Sequence, residues 1–228
     1  MATLPSRGLK AGLIIDKTVD VLGKSVGPAL AFIAVLVLLG TGVDYLSTQA
    51  QQAFSVAALF QALALTLALV VVSIVGSYLL IEAMLKRTGL MSYEGDRRFF
   101  AYLGMSILIG LAVGLGLLFL IIPGLVFMAR WSVAQSLLIG RGTGVMDSMG
   151  KSWEATKGNE VSIILAALAM TVLFYALAFL PAILFPELGI AATVIGRIGS
   201  SAASVISTAM GVALYGLISA RDVVGVFD

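Results

Sequence analysis

The sequence predicts an all-α membrane protein: a six-transmembrane-helix bundle with two interfacial amphipathic helices and both termini on the cytoplasmic side. Three observations predict it. Hydrophobic residues make up 60% of the 228-residue chain and charged residues 11%, where a soluble domain carries about 25% charged residues; mean hydropathy is +1.10. Apolar blocks recur at the length a bilayer demands, about 20 residues of helix for a hydrocarbon core of about 30 Å. Twelve of the fourteen Lys and Arg residues fall in alternate gaps between those blocks. Loops that stay in the cytoplasm keep positive charge and translocated loops lack it.

The basic gaps hold Arg7, Lys10, Lys17 and Lys24; then Lys86, Arg87, Arg97 and Arg98; then Arg141, Lys151 and Lys157; and finally Arg221. The intervening gaps, around Ser47 to Gln52, Pro123-Gly124 and Pro186 to Ile190, hold neither Lys nor Arg. With so few charges there is too little polar side chain to cover a water-facing surface, so residues 1–228 read as one polytopic membrane domain. A net charge of +2 is too small and too dispersed for nucleic acid; the basic loops face anionic headgroups instead. The absence of Cys excludes disulfides and thiolate chemistry, and the absence of His excludes imidazole-held haem, His-based zinc and His acid–base catalysis. No cofactor and no metal is expected. Neither is a cleavable signal peptide, because the first apolar block is long enough to span.

The six spans are placed at about 26–46, 54–84, 99–122, 124–139, 161–185 and 198–220, after a cytoplasmic amphipathic segment at 1–25. Pro28 opens the first, where a missing N–H costs nothing. The second is long enough to tilt. Ile121-Ile122-Pro123-Gly124 is the turn between the third and fourth; one very long helix is the rival reading, which Pro-Gly punctuation and the need to return Arg141 argue against. Pro181 is expected to bend the fifth and Pro186 to finish it. The sixth is started at Ile198, because starting at Leu188 would bury Arg197 about ten residues deep, costly without a partner.

Two stretches are amphipathic. In Leu9 to Lys24 the apolar positions Leu9, Leu13, Val19 and Leu22 share a side; in Gly144 to Lys157, Val145, Met149, Trp153 and Thr156 recur at helical spacing. Both precede an outward-going span. They either lie in the interface, held by Trp and Lys anchors, or pack beneath the bundle as caps. The duplication hints weakly at an internal repeat, but the two first spans run the same way, so an inverted repeat is not indicated.

Small residues mark candidate packing faces: Gly110 and Gly114 in the third span, with Gly104 and Gly116 nearby, and Gly199, Ala203, Ser207 and Gly211 in the sixth, beside Ser200, Ser204 and Thr208. Such faces let helices approach closely, within the chain or toward an oligomer partner. Arg130 stands inside a span, six residues past Gly124, which places it about 9 Å below the outer turn. It is a candidate lipid, partner or anion contact, with Asp44 or Glu187 as expected partners. Trp131 reads as a lipid-facing anchor, and Trp153 as an interfacial contact. Glu82 and Lys86 form an ordinary i,i+4 pair. The chain shows no midplane acids, no paired carboxylates, and no broken mid-helix segment of the transporter kind.

The stretch from Ile122-Pro123-Gly124 to Arg130-Trp131, followed by Ser152-Trp153-Glu154-Ala155-Thr156-Lys157-Gly158-Asn159, resembles the membrane domain associated with glycerophosphoryl diester phosphodiesterases and related six-span bacterial inner-membrane proteins. The shared pattern is a Pro-Gly turn, an Arg about six residues on, a Ser-Trp in a cytoplasmic helix, a Lys-Gly-Asn opening the next span, and a Tyr near the end of the last, here Tyr215. The resemblance is strongest over residues 120–160. It implies a six-helix fold. It does not carry phosphodiesterase activity, which in fused relatives belongs to a soluble domain with catalytic His, and this sequence has no His.

The expectation is therefore a non-enzymatic inner-membrane protein, an accessory or scaffold subunit or an envelope-maintenance protein. Its partners would be membrane lipids, other membrane subunits or itself. The alternative is a lipid or small-solute carrier or channel in which Arg130 recognises an anionic group. Because the chain is Cys-free, a single cysteine at Lys151 tests the topology. It is expected to resist a membrane-impermeant maleimide in intact cells and to react after permeabilisation; labelling from the periplasm would overturn the arrangement.

Overall fold

Hydropathy this high leaves the backbone only one way to satisfy its polar groups in lipid without closing a barrel, which is to hydrogen-bond within each helix. The computed structural model describes residues 8–53, 56–184 and 190–224, and these form nine helices and no strand. They are α1 (Ala11–Lys24), α2 (Val26–Ala53), α3 (Val56–Thr88), α4 (Phe99–Phe119), α5 (Ile121–Arg130), α6 (Ala134–Arg141), α7 (Val145–Ala155), α8 (Glu160–Leu184) and α9 (Ile190–Val224). Five stretches are long and apolar enough to cross a membrane: Val26–Gln49, Phe60–Thr88, Phe99–Phe119, Ile121–Arg141 and Ala191–Ala220. Helices α7 and α8, bent by 99° to one another, make a sixth when taken together.

The bundle is built from two hairpin-like pairs, α2 with α3 and α8 with α9, and α9 also packs along α2 and α1. The α4–α5 hairpin stands to one side, meeting the rest mainly through α3, α6, α7 and the start of α8. Its turn is tighter than the sequence suggests, since Leu120 alone is non-helical between α4 and α5. Pro123 lies in the first turn of α5, where its missing N–H leaves nothing unpaired. Gly124 serves close packing instead of a turn. A Cβ built on Gly116 would stand 2.8 Å from the Gly124 Cα, so the two glycines allow the hairpin arms to touch.

The basic residues gather at one end. Arg87 Nη1 donates to the Lys24 carbonyl at 3.4 Å, and Arg98 Nη1 to that of Thr143 at 2.9 Å. At the same end Lys86 pairs with Glu82 at 2.5 Å, as its i,i+4 spacing indicates, and Arg97 adds a contact at 3.7 Å. Helix α1 packs beneath this end against α9, α8 and α3, which favours the cap reading. Its buried face is Ile14, Thr18 and Val21, preceded by buried Leu9; Leu13 and Val19, which the sequence placed with Leu9, are exposed. Thr18 is tolerated there because its hydroxyl donates to the Ile14 carbonyl at 2.7 Å.

The last helix departs most from expectation. It is continuous from Ile190, eight residues before Ile198, so Arg197 lies within it. A buried cation needs a partner, and Asp44 of α2 supplies one. Arg197 Nε donates to Asp44 Oδ2 at 2.7 Å while Nη2 takes Oδ1, a two-pronged pair. Gly40 one turn away makes room, since a Cβ there would stand 2.9 Å from Arg197 Nη1. Asp44 is thus spent on Arg197, not Arg130. Helix α8 runs on through position 181, and Pro186, Glu187 and Leu188 lie outside the described residues.

Removing one member of such a pair strands the other, whereas replacing both does not. Asp44→Leu and Arg197→Leu are each expected to lower stability in detergent by about 2 kcal/mol, discounted for partial exposure. The double variant should recover most of that in a thermal-melt comparison.

Candidate functional site

The helix that follows the α4–α5 turn breaks at Trp131–Val133, between α5 and α6. No proline or glycine marks this place. The sequence reading had no broken helix here, and the structure corrects it. The break changes the backbone bonding: Ala134 N–H returns only three residues, to the Trp131 carbonyl at 3.1 Å, leaving the Arg130 carbonyl without its usual i+4 donor. In a low-dielectric setting an unpaired carbonyl is costly.

Helix α7 supplies the missing donors. Ser152 Oγ donates to the Arg130 carbonyl at 2.7 Å; the single proton of Thr156 Oγ1 goes first to the Ser152 carbonyl at 2.8 Å, with the Arg130 carbonyl a weaker second acceptor at 3.2 Å. Ser148, Ser152 and Thr156 recur four residues apart and are all fully buried. The sequence reading grouped Val145, Met149, Trp153 and Thr156 on one stripe of α7; the first three are half-buried, and Thr156 belongs with the hydroxyl stripe, which is the one turned fully inward. Ser148 and Thr143 share a further hydrogen bond at 2.6 Å.

Arg130 ends α5 and points into the α7–α8 corner. Its Nη2 forms an ion pair with Glu160, the first residue of α8, and its Nη1 donates to the Trp153 carbonyl at 2.9 Å. The guanidinium carbon lies 5.0 Å from the centre of the Trp153 ring, a cation–π distance. Nε is buried without a hydrogen-bond partner. Of the partners expected for Arg130, Asp44 pairs with Arg197 and Glu187 lies outside the described residues; the acid that meets Arg130 is Glu160. The depth count from Gly124 was sound as a distance along the helix, but α7 and α8 meet that helix at its break.

The corner itself is made by Lys157-Gly158-Asn159. Gly158 has φ +77°, a left-handed conformation that glycine adopts without a Cβ clash. Asn159 then accepts the Leu9 N–H at 2.6 Å through Oδ1, tying the start of α1 to the site. Trp131 is half-buried. Its ring stacks on Phe127 at 5.2 Å, 16° from parallel, and stands 5.7 Å from Trp153.

The small-residue faces divide. Gly110 and Gly114 are exposed, with nothing within 4 Å of a Cβ at either; among the described residues they pack against no other helix. On α9, Gly211 is in close contact, since a Cβ there would stand 2.8 Å from the Ser132 carbonyl oxygen at the break. Ala203 and Gly199 are half-buried and Ser207 is exposed. The buried face of α9 instead runs through Ser201, Val205 and Ala209, one or two positions round. Tyr215, which the resemblance singled out, is buried, with Arg141 over its ring at 5.6 Å.

No protein-family model matches the chain, no curated protein matches it, and no solved structure matches it.

The Arg130 carbonyl is held chiefly by Ser152, with Thr156 in reserve at 3.2 Å. Thr156→Val alone is expected to cost under about 1 kcal/mol, Ser152→Ala about 1–2 kcal/mol, and the double variant about 2–3 kcal/mol, the largest figure reflecting a buried acceptor left unmade. Thermal melts of the three variants in one detergent check this.

Proposed function

We propose that this chain is a non-enzymatic six-span protein of a bacterial inner membrane, serving as an accessory or scaffold subunit of a membrane assembly or in envelope maintenance. In this reading both termini and the basic end face the cytoplasm, in keeping with the positive-inside rule. The resemblance of residues 120–160 to the phosphodiesterase-associated membrane domain supports the same picture, as a fold without that family's soluble catalytic domain.

The observation that carries the reading is the state of Arg130. Its two terminal nitrogens are engaged by Glu160 and by the Trp153 carbonyl, and its face by the Trp153 ring. A cation already neutralised by a carboxylate of its own chain is a clasp joining α5, α7 and α8. An anion would have to displace Glu160 to use it, and the displaced carboxylate would then need a partner of its own. The carrier reading, in which Arg130 recognises an anionic solute, therefore ranks second.

The two separate cleanly in the charge-reversed pair Arg130→Glu with Glu160→Arg. A clasp tolerates exchange of its halves. Arg130→Gln is expected to lower the melting temperature and strip co-purifying subunits in mild detergent, and the reversed pair to restore both. An Arg130→Gln protein that melts normally and keeps its partners while a solute flux disappears would instead establish the carrier.

A further inference from the structure

Between the α4–α5 hairpin and the α8–α9 pair lies a cleft of about 400 Å³, within the usual range for small-molecule sites. We infer that this cleft binds an uncharged acyl lipid whose head carries hydroxyl and ester groups, of the diacylglycerol kind, and that the break at Trp131–Val133 forms its polar wall. The inference does not depend on the scaffold role or on Arg130, which does not line the cleft.

The lining decides the ligand class. Aliphatic side chains such as Ile109 and Leu168 make up most of it, and the polar groups are all neutral: Ser132, Gln135, Ser136, Thr171, Ser207 and Thr208. Among the described residues no Lys, Arg, Asp or Glu lines it, so a phosphate or carboxylate would enter without a counter-charge from them, which a site of low dielectric does not favour. Some of these groups are satisfied internally. Ser132 donates to the Ala129 carbonyl, Thr208 to that of Ser204, and the Gln135 amide nitrogen to Ser106 at 3.2 Å. Among the described residues, the Ser136, Thr171 and Ser207 hydroxyls make no hydrogen bond. Three helices thus turn unpartnered hydroxyls toward one space in a span-forming region. Hydroxyl and ester oxygens of a ligand would pair with them, and bare hydrocarbon would not.

Placement decides the route. Helix α4 reaches the bundle mainly through α3, α5, α6 and α7, while α8 packs chiefly on α9 and α1. The wedge between α4 and α8 is consequently open sideways, and the lining residues Gly110, Leu168, Thr171 and Ser207 are exposed. A lipid can place its head and upper chains in the cleft while the rest of its tails stay in the bilayer. The exposed Gly110 is one of the residues lining this space, which gives that glycine a use that helix packing does not.

Trp131 lines the cleft, and the chain has only two tryptophans. Trp153→Phe therefore leaves a single reporter and preserves the backbone carbonyl that receives Arg130. This variant is reconstituted in phosphatidylcholine vesicles and titrated with diacylglycerol brominated on its chains, a contact quencher. The expected result is saturable loss of at least half of the Trp131 emission at a few mole per cent, with brominated phosphatidylcholine and phosphatidic acid giving only a shallow linear fall. Ala167→Phe, which fills the cleft, should abolish saturation. Thr171→Val with Ser207→Ala, which keeps its volume, should raise the half-saturation several-fold. Linear quenching equal to that by phosphatidylcholine, stronger saturable quenching by phosphatidic acid, or a half-saturation unmoved by the hydroxyl-deleting pair would each overturn the assignment.

Discussion

One unmade backbone hydrogen bond organises the middle of this protein. Where the helix after the α4–α5 turn breaks, the Arg130 carbonyl loses its helical donor, and the chain answers with Ser152 and Thr156 from α7. That answer fixes where α7 must lie. Once α7 is there, Trp153 comes under the Arg130 guanidinium, and the Gly158 turn brings Glu160 to its far side. The hydroxyl stripe, the cation and the sharp corner are thus successive consequences of a single break. Bonds made by a carbonyl shielded from water meet little competition, so the geometry is held more firmly than the same contacts would be at a wet surface.

The opposite end is governed by a different rule. Arg197 lies inside a long helix, tolerable only because Asp44 meets it two-pronged and Gly40 leaves space for it. The two arginines within spans are therefore alike in kind. Each is neutralised by an acid from another helix, and each ties together elements distant in sequence, α2 to α9 in one case and α5 to α8 in the other. An intramembrane charge in this fold joins helices.

How much of this was legible beforehand follows from the range of each interaction. The helical class and most of the spans were readable because hydropathy is a local, additive property; α3 and α8 end within a few residues of the expected limits. The Glu82–Lys86 pair was readable for the same reason, being one helical turn long. Arg197 with Asp44 and Arg130 with Glu160 were not, because nothing in one sequence says which of several distant acids a cation will meet. The break at Trp131 carries no Pro or Gly signal. Its only trace is indirect: Ser148, Ser152 and Thr156, four apart on a helix whose other face is charged, are donors in search of an acceptor. Treating Thr156 as part of the apolar stripe hid that pattern. The face of α9 was misjudged by one or two positions because small residues are abundant all round that helix, and size alone cannot choose among them.

The tie between Leu9 and Asn159 spans 150 positions, and α1 rests chiefly on α9, the last of the described helices. Most of the seat of α1 is therefore made by residues synthesised well after it, on α8 and α9, with a smaller share from α3. Until those helices are in place Ile14 and Val21 lack most of their cover, and a bilayer surface is a place where a half-apolar helix can rest. Its amphipathic character thus serves two successive situations, a temporary berth on the lipid and then a permanent one under the finished bundle.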